Sequence, residues 1–182
     1  ALMSMIGFSK LNAISHKKNS DPGYILEKLD EGVREALSSK RYNHESKDGM
    51  DMALCAFDLK NKKVQYSGAF RPLIKINGEN LEETKGNRYP IGGGSSYIKD
   101  GFTTHEFDIN KGDCFYMFSD GFPDQFGGPK DKKFMNKKFK ALLQEIQSLS
   151  PKEQMFRLDT ALQNWRGETE QVDDILVIGV CF

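Results

Sequence analysis

The spacing of apolar positions changes along the chain, and each change marks an element. Leu2, Met5, Ile6 and Ala13 recur at near-helical spacing and predict a first helix with its apolar residues on one side. "SHKKNS" reads as a basic turn. Asp21-Pro22 is an N-cap followed by proline at the first helical position. Ile25, Leu26, Leu29, Val33, Ala36 and Leu37 then predict an amphipathic second helix ending near Ser38-Ser39. A polar loop, "KRYNHESKDG", follows.

Beyond it the period shortens. "MDMALCAFDL", the turn "KNKK" and "VQYSGAF" predict a hairpin of strands buried on both faces. "PLIKI" and "LEETK" continue as strands around Asn77-Gly78. "GNRYPIGGGSSYIKDG" holds too much glycine for an element, "FTTHEFDI" alternates as a half-exposed strand does, and "DCFYMF" is a buried strand. "KKFMNKKFKALLQEIQ" predicts a helix with Phe134, Phe139, Leu142, Leu143 and Ile146 inward, and Ser150-Pro151-Lys152-Glu153 a capping box opening another to about Trp165. The last strand, "DDILVIGVCF", is apolar from Ile175 to Cys181 and is expected at the centre of its sheet. Helices, a block of antiparallel strands, two helices and a final strand make the fold class α+β.

Composition narrows the function. The 182 residues suit one domain, residues 1–182. Basic and acidic residues number 26 each, and that balance argues against nucleic acid as the partner. No apolar run reaches membrane-spanning length, and no secretory signal is visible. Cys55, Cys114 and Cys181 sit in apolar runs without CxxC spacing and read as buried thiols of a reducing, cytoplasmic compartment. The first helix has no N-cap and the chain no initial methionine, so a piece of a longer protein is expected.

The candidate chemistry is acidic. Asp120 ends one apolar strand, and Asp173 and Asp174 precede another. Were those strands antiparallel neighbours, the carboxylates would converge at one sheet edge, where repulsion needs a neutralising cation. Such hard oxygen donors suit Mg²⁺ or Mn²⁺, and Gly121 lets the backbone come close. The plainer reading is a turn at Asp120-Gly121 and an ordinary strand start at Asp173.

"FSDGFPDQFGG" together with "QVDDILVIGV" resembles the metal-dependent serine/threonine protein phosphatases, in the bacterial branch typified by the stage II sporulation protein E phosphatase. "DGMDMALCAFDL", "VQYSGAFRPLIKI" and "YPIGG" match that branch in order, and "ALMSMIGFSKLNAI" resembles the helix after its first metal motif. The resemblance implies an antiparallel β-sandwich in α-β-β-α layers, here missing its first strands and first metal motif. It implies Asp120 and Asp173 as metal ligands, with Gly121 beside them and Asp174 as an alternative to Asp173. Two divalent cations would activate a water for in-line attack on phosphoserine or phosphothreonine. The implied substrate is a phosphorylated regulatory protein such as an anti-anti-sigma factor, and the implied parent carries upstream sensor domains, soluble or membrane-associated. A chain with half a metal site is expected to be inactive alone. The alternative is a binding module that engages a partner without turnover. An incomplete sheet also predicts a strand-exchanged or edge-paired homodimer.

Other features carry less. Asp51 reads as a polar strand end, and Arg71 either contacts substrate phosphate or pairs with an acid. "IGGGSS" lacks the Gly-Lys-Ser/Thr ending of a phosphate loop. Lys130, Lys132, Lys133, Lys137, Lys138 and Lys140 form a solvated helix face or a docking surface for an acidic phosphoprotein, with Lys137 and Lys138 as its candidates. His16, His44 and His105 show no metal-ligand spacing, and Asp124 belongs to its loop rather than to a metal.

Overall fold

The computed structural model describes residues 2–15, 21–37, 49–93 and 101–182. The turn at "SHKKNS", most of "KRYNHESKDG", the second half of "IGGGSS", and His16 and His44 lie outside the described residues. Two helices open the chain, α1 (Leu2–Ser15) and α2 (Pro22–Leu37). Six strands follow: β1 (Met52–Asp58), β2 (Lys63–Ala69), β3 (Leu73–Asn77), β4 (Asn80–Thr84), β5 (His105–Asp108) and β6 (Cys114–Phe118). A short helix α3 (Gly121–Asp124) and the two-residue strands β7 (Phe126–Gly127) and β8 (Lys132–Lys133) come next, then α4 (Asn136–Ile146), α5 (Pro151–Arg166) and β9 (Val177–Cys181).

Two compact units emerge: residues 1–73 with 85–109, and residues 74–84 with 110–182. In the first, β1-β2-β5 form an antiparallel sheet under α1 and α2. The Asp21 carboxylate accepts from the Tyr24 amide at 2.8 Å, the side-chain cap that the sequence predicts. Leu26, Leu29 and Val33 are fully buried and pack with Ile14, Ala69, Ile91 and Phe102. β1 is only half-buried along most of its length, so the expectation of burial on both faces holds less well for it than for β2. In α1, Ile6 packs inward as expected, but Met5 is 71% exposed and Ala13 is exposed too, and Gly7, Leu11 and Ile14 complete the inward set. Apolar residues surround this helix, so its spacing alone selects no face.

The second unit holds the sheet β4-β3-β6-β9 and the helices α4 and α5. Gly78, at φ +57°, supplies the left-handed residue of the turn between β3 and β4. The capping box of α5 forms in full: Ser150 accepts from the Glu153 amide and Glu153 accepts from the Ser150 amide. An aromatic cluster makes the core. The Phe139 ring lies 4.8 Å from the rings of both Phe118 and Phe122, and Phe134 packs edge-on against Phe122 and Trp165. Burying Phe139 completely is worth about 2–3 kcal/mol. Phe134 reaches this core from the segment after β8, since α4 starts only at Asn136.

Two expectations fail here. β9 is an edge strand, with β6 as its neighbour among the described residues, and Ile178 is 42% exposed. An apolar run shows that a strand packs, not that it has two neighbours. The cysteines are not three thiols: Cys114 and Cys181, directly opposite in the β6–β9 register, form a disulfide, and only Cys55 is free. That pairing depends on a register between strands 67 residues apart, which composition cannot display.

Candidate functional site

The segments that carry the acids run side by side. β6 and β9 are antiparallel, with Phe118 opposite Val177, so the residues after Phe118 run beside those before Val177. Ser119 joins the two segments. Its hydroxyl donates to the Asp174 carbonyl at 2.7 Å and accepts from the Leu176 amide at 2.9 Å, while its own amide donates to the Leu176 carbonyl at 3.0 Å. Asp120 follows, half-buried, and caps α3 by position without a side-chain cap bond. Asp173 and Asp174 are exposed, and the Asp173 carboxylate accepts from the Asp174 amide at 2.7 Å.

Gly121 explains how the segments come so close. A Cβ there would stand 2.4 Å from the Asp174 carbonyl oxygen and 2.9 Å from the Ile175 side chain. Gln125 fastens the loop behind it. Fully buried, it donates to the Glu170 carbonyl at 3.0 Å, and its own carbonyl accepts from the Trp165 indole and the Phe134 amide. Sequence reasoning assigned no role to Ser119 or Gln125. Ser119 sits in the quoted motif, whereas nothing in the local pattern marks Gln125. Asp124 pairs with Lys133 at 2.8 Å, as a loop residue would.

The lysine run divides. Lys133 and Lys140 pair with Asp124 and Glu83, and the Lys138 ammonium lies 3.7 Å from the Trp165 ring centroid. Lys130, Lys132 and Lys137 are exposed. Arg71 belongs to the first unit, where its guanidinium reaches Asp51 at 2.6 Å and its carbonyl accepts from the Tyr66 hydroxyl. Asp51 is thus an ion-pair partner rather than a bare strand end.

Carboxylate oxygens are the donors that Mg²⁺ or Mn²⁺ would take. Their number falls short of a complete site: among the described residues no three His, Cys, Asp or Glu side chains gather closely enough to hold one ion. The described edge can therefore supply part of a metal centre, and no reaction step is derived through one.

The model of the Stage II sporulation protein E (SpoIIE) family matches residues 1–182. The SiaA-PP2C domain of Pseudomonas aeruginosa superposes with a TM-score of 0.87 at 29% identity, over 100% of this chain and 70% of that one. The PP2C phosphatase domain of SpoIIE from Bacillus subtilis, solved with a fragment of its regulatory domain, gives 0.73 at 17% identity, over 100% of this chain and 50% of that one. The RsbU and RsbW domains of Rv1364c from Mycobacterium tuberculosis give 0.69 at 19%, over 98% of this chain and 46% of that one. This chain thus spans half or less of the last two structures, and at those identities the likeness shows the fold alone. The mixed helical and antiparallel-sheet architecture is that of PP2C phosphatase domains. No curated protein matches the sequence.

Proposed function

The chain belongs to the SpoIIE family of PP2C-type phosphatase domains, and from that premise we propose that it serves a protein phosphatase acting on phosphoserine or phosphothreonine of a bacterial regulatory protein. The observation that supports this best is the Ser119 clasp, which sets Asp120 beside the segment of Asp173 and Asp174. Asp120 and Asp173, with Asp174 as the alternative, are the residues that would hold Mn²⁺ or Mg²⁺, and Gly121 keeps the main chain close to them. A cation bound there supplies positive charge toward phosphoryl oxygens and lowers the pKa of a water. The chain's own work is positional: it holds the acids at an accessible edge and keeps the loop behind them rigid through Gln125.

Lys137 and Lys138 would draw an acidic phosphoprotein toward this edge, and Arg71 would reach a substrate phosphate only by exchanging its contact with Asp51. A phosphorylated anti-anti-sigma factor is a partner of the fitting kind. Among the described residues no helix is long and apolar enough to cross a membrane. The reading places the domain in the cytoplasm, as the output of a signalling protein with upstream sensor domains, one domain over residues 1–182 that lacks the family's first strands and first metal motif.

The lack of a three-ligand cluster among the described residues favours a second reading, a binding module without turnover. The edge of β9 that has no partner strand among the described residues suits it, since such an edge can take a strand from a second copy. The test is Mn²⁺-dependent hydrolysis of p-nitrophenyl phosphate and of a phosphoserine peptide, by this chain and by one extended upstream to the family's first metal motif, with Asp120→Asn as control in each. Metal-dependent turnover lost in the variant supports the phosphatase. Binding of a phosphoprotein without any metal-dependent turnover supports the module.

A further inference from the structure

The disulfide has a position that a simple staple would not need. It ties an edge strand to the sheet at the end of the ladder opposite the acids: Cys114 faces Cys181, while Phe118 faces Val177 just ahead of Ser119 and Asp120. β9 is thus held at both ends, by Ser119 at one and by sulfur at the other. The two sulfurs differ in access. Cys114 is 2% exposed, whereas Cys181 is exposed and lines a cavity of about 550 Å³ with Gln154, Met155, Leu158, Val177 and Gly179. Cys55 does not compete for exchange, because burial pushes its thiol up to about 12 and keeps it protonated. In a reducing cytoplasm a disulfide that does persist is usually transient or redox-sensing.

We propose that the Cys114–Cys181 bridge is a thiol–disulfide exchange site for a small thiol of the glutathione class, attacked at Cys181 through this cavity, and that its opening loosens β9 and with it Asp173 and Asp174. The chemistry balances. A thiolate forms a bond to the Cys181 sulfur, the Cys114–Cys181 bond breaks, and Cys114 leaves as a thiolate that takes a proton from water. A second small thiolate then attacks the small-thiol sulfur of the mixed disulfide. Cys181 is released as a thiolate, protonated in turn, and the oxidised small-thiol dimer departs. The bridge gains two electrons and two protons, and two small thiols lose them. The link to Asp173 and Asp174 and the cytoplasmic setting rest on the phosphatase reading; the exchange chemistry itself does not.

The experiment equilibrates the chain in glutathione buffers of graded redox ratio, quenches with acid, and maps adducts by mass spectrometry. Amide hydrogen exchange is followed in the same samples. The expected result is a bridge that opens within the buffered range, a glutathione adduct at Cys181 and none at Cys114. Amides of β9 then exchange about tenfold faster or more on reduction, with those of β3 and β6 protected as before. A Cys114→Ser/Cys181→Ser chain should reproduce the reduced pattern. A bridge that never forms or never opens, an adduct at Cys114, unchanged β9 exchange, or loss of protection in β3 and β6 as well would each overturn the proposal. Mn²⁺-dependent hydrolysis by a chain extended upstream to the family's first metal motif, in the same glutathione buffers, separates the two readings. Turnover that ignores the state of the bridge sinks the link to the acids, and no turnover in either state beside a working exchange sinks the phosphatase reading alone.

Discussion

The hydroxyl of Ser119 holds the main chain of Asp174 and Leu176 at once, donating to one at 2.7 Å and accepting from the other at 2.9 Å. Two strand ends that would otherwise splay are fixed by a single side chain next to Asp120. Ser119→Ala should cost about 1–2 kcal/mol, the sum of two ordinary hydrogen bonds, read by urea unfolding. Ser119→Thr keeps the hydroxyl and should recover most of the loss. Equal losses in the two variants would mean that packing, not the bonds, matters at this position.

Gly121→Ala places a methyl against the Asp174 carbonyl, a contact no small rotation relieves because the obstacle is backbone. The expected cost is about 1–3 kcal/mol. In NMR spectra the displaced signals should centre on residues 119–121 and 173–176. Displacements that leave 173–176 untouched would contradict the closeness of these segments.

Asp113 contributes acid sensitivity to the second unit. Burial works against its charge, but the Asn110 amide, the Asn77 side chain and Lys75 outweigh it and hold the carboxyl below its ordinary range. A depressed folded value means that the stabilisation is fully present above the unfolded value near about 3.9 and is lost as pH falls through the folded one. Asp113→Asn should lower stability at pH 7 by about 1.5–3 kcal/mol and flatten the fall of stability below about pH 4. Parallel urea-unfolding curves for the two proteins from neutral to acid pH would rule this network out.

Charge reversal separates docking from chemistry. Lys137 is exposed, whereas Lys138 rests on Trp165, so Lys137→Glu tests charge and Lys138→Glu tests charge and packing together. In the chain extended upstream to the first metal motif, Lys137→Glu should raise KM for an acidic phosphoprotein several-fold at low salt, with the difference shrinking at high salt. Hydrolysis of p-nitrophenyl phosphate should not change. An unchanged KM for the phosphoprotein would remove Lys137 from the docking surface.

Local signals were legible in proportion to how local their physics is. Asp21 and the Ser150–Glu153 box act within one helical turn, and the sequence displays them whole. The acids at Asp120 and Asp173-Asp174 were legible as strand-end residues, and the closeness of their segments followed once β6 and β9 were antiparallel neighbours. The Cys114–Cys181 bond, the edge position of β9 and the reach of Gln125 to Glu170 were not legible. Each depends on which distant strand or loop lies alongside, and no residue type announces that. Met5 and Ala13 misled for another reason: a helix apolar on every side leaves the choice of buried face to its neighbours.

The sequence separation of 67 between Cys114 and Cys181 also sets a schedule. A ribosome adds about 5–20 residues per second, so β6 waits roughly 3 to 13 s before β9 has been made. Throughout that interval Asp120 stands at the end of a strand that has β3 beside it but not yet β9. The acidic edge therefore cannot assemble until residues 173–181 have been made.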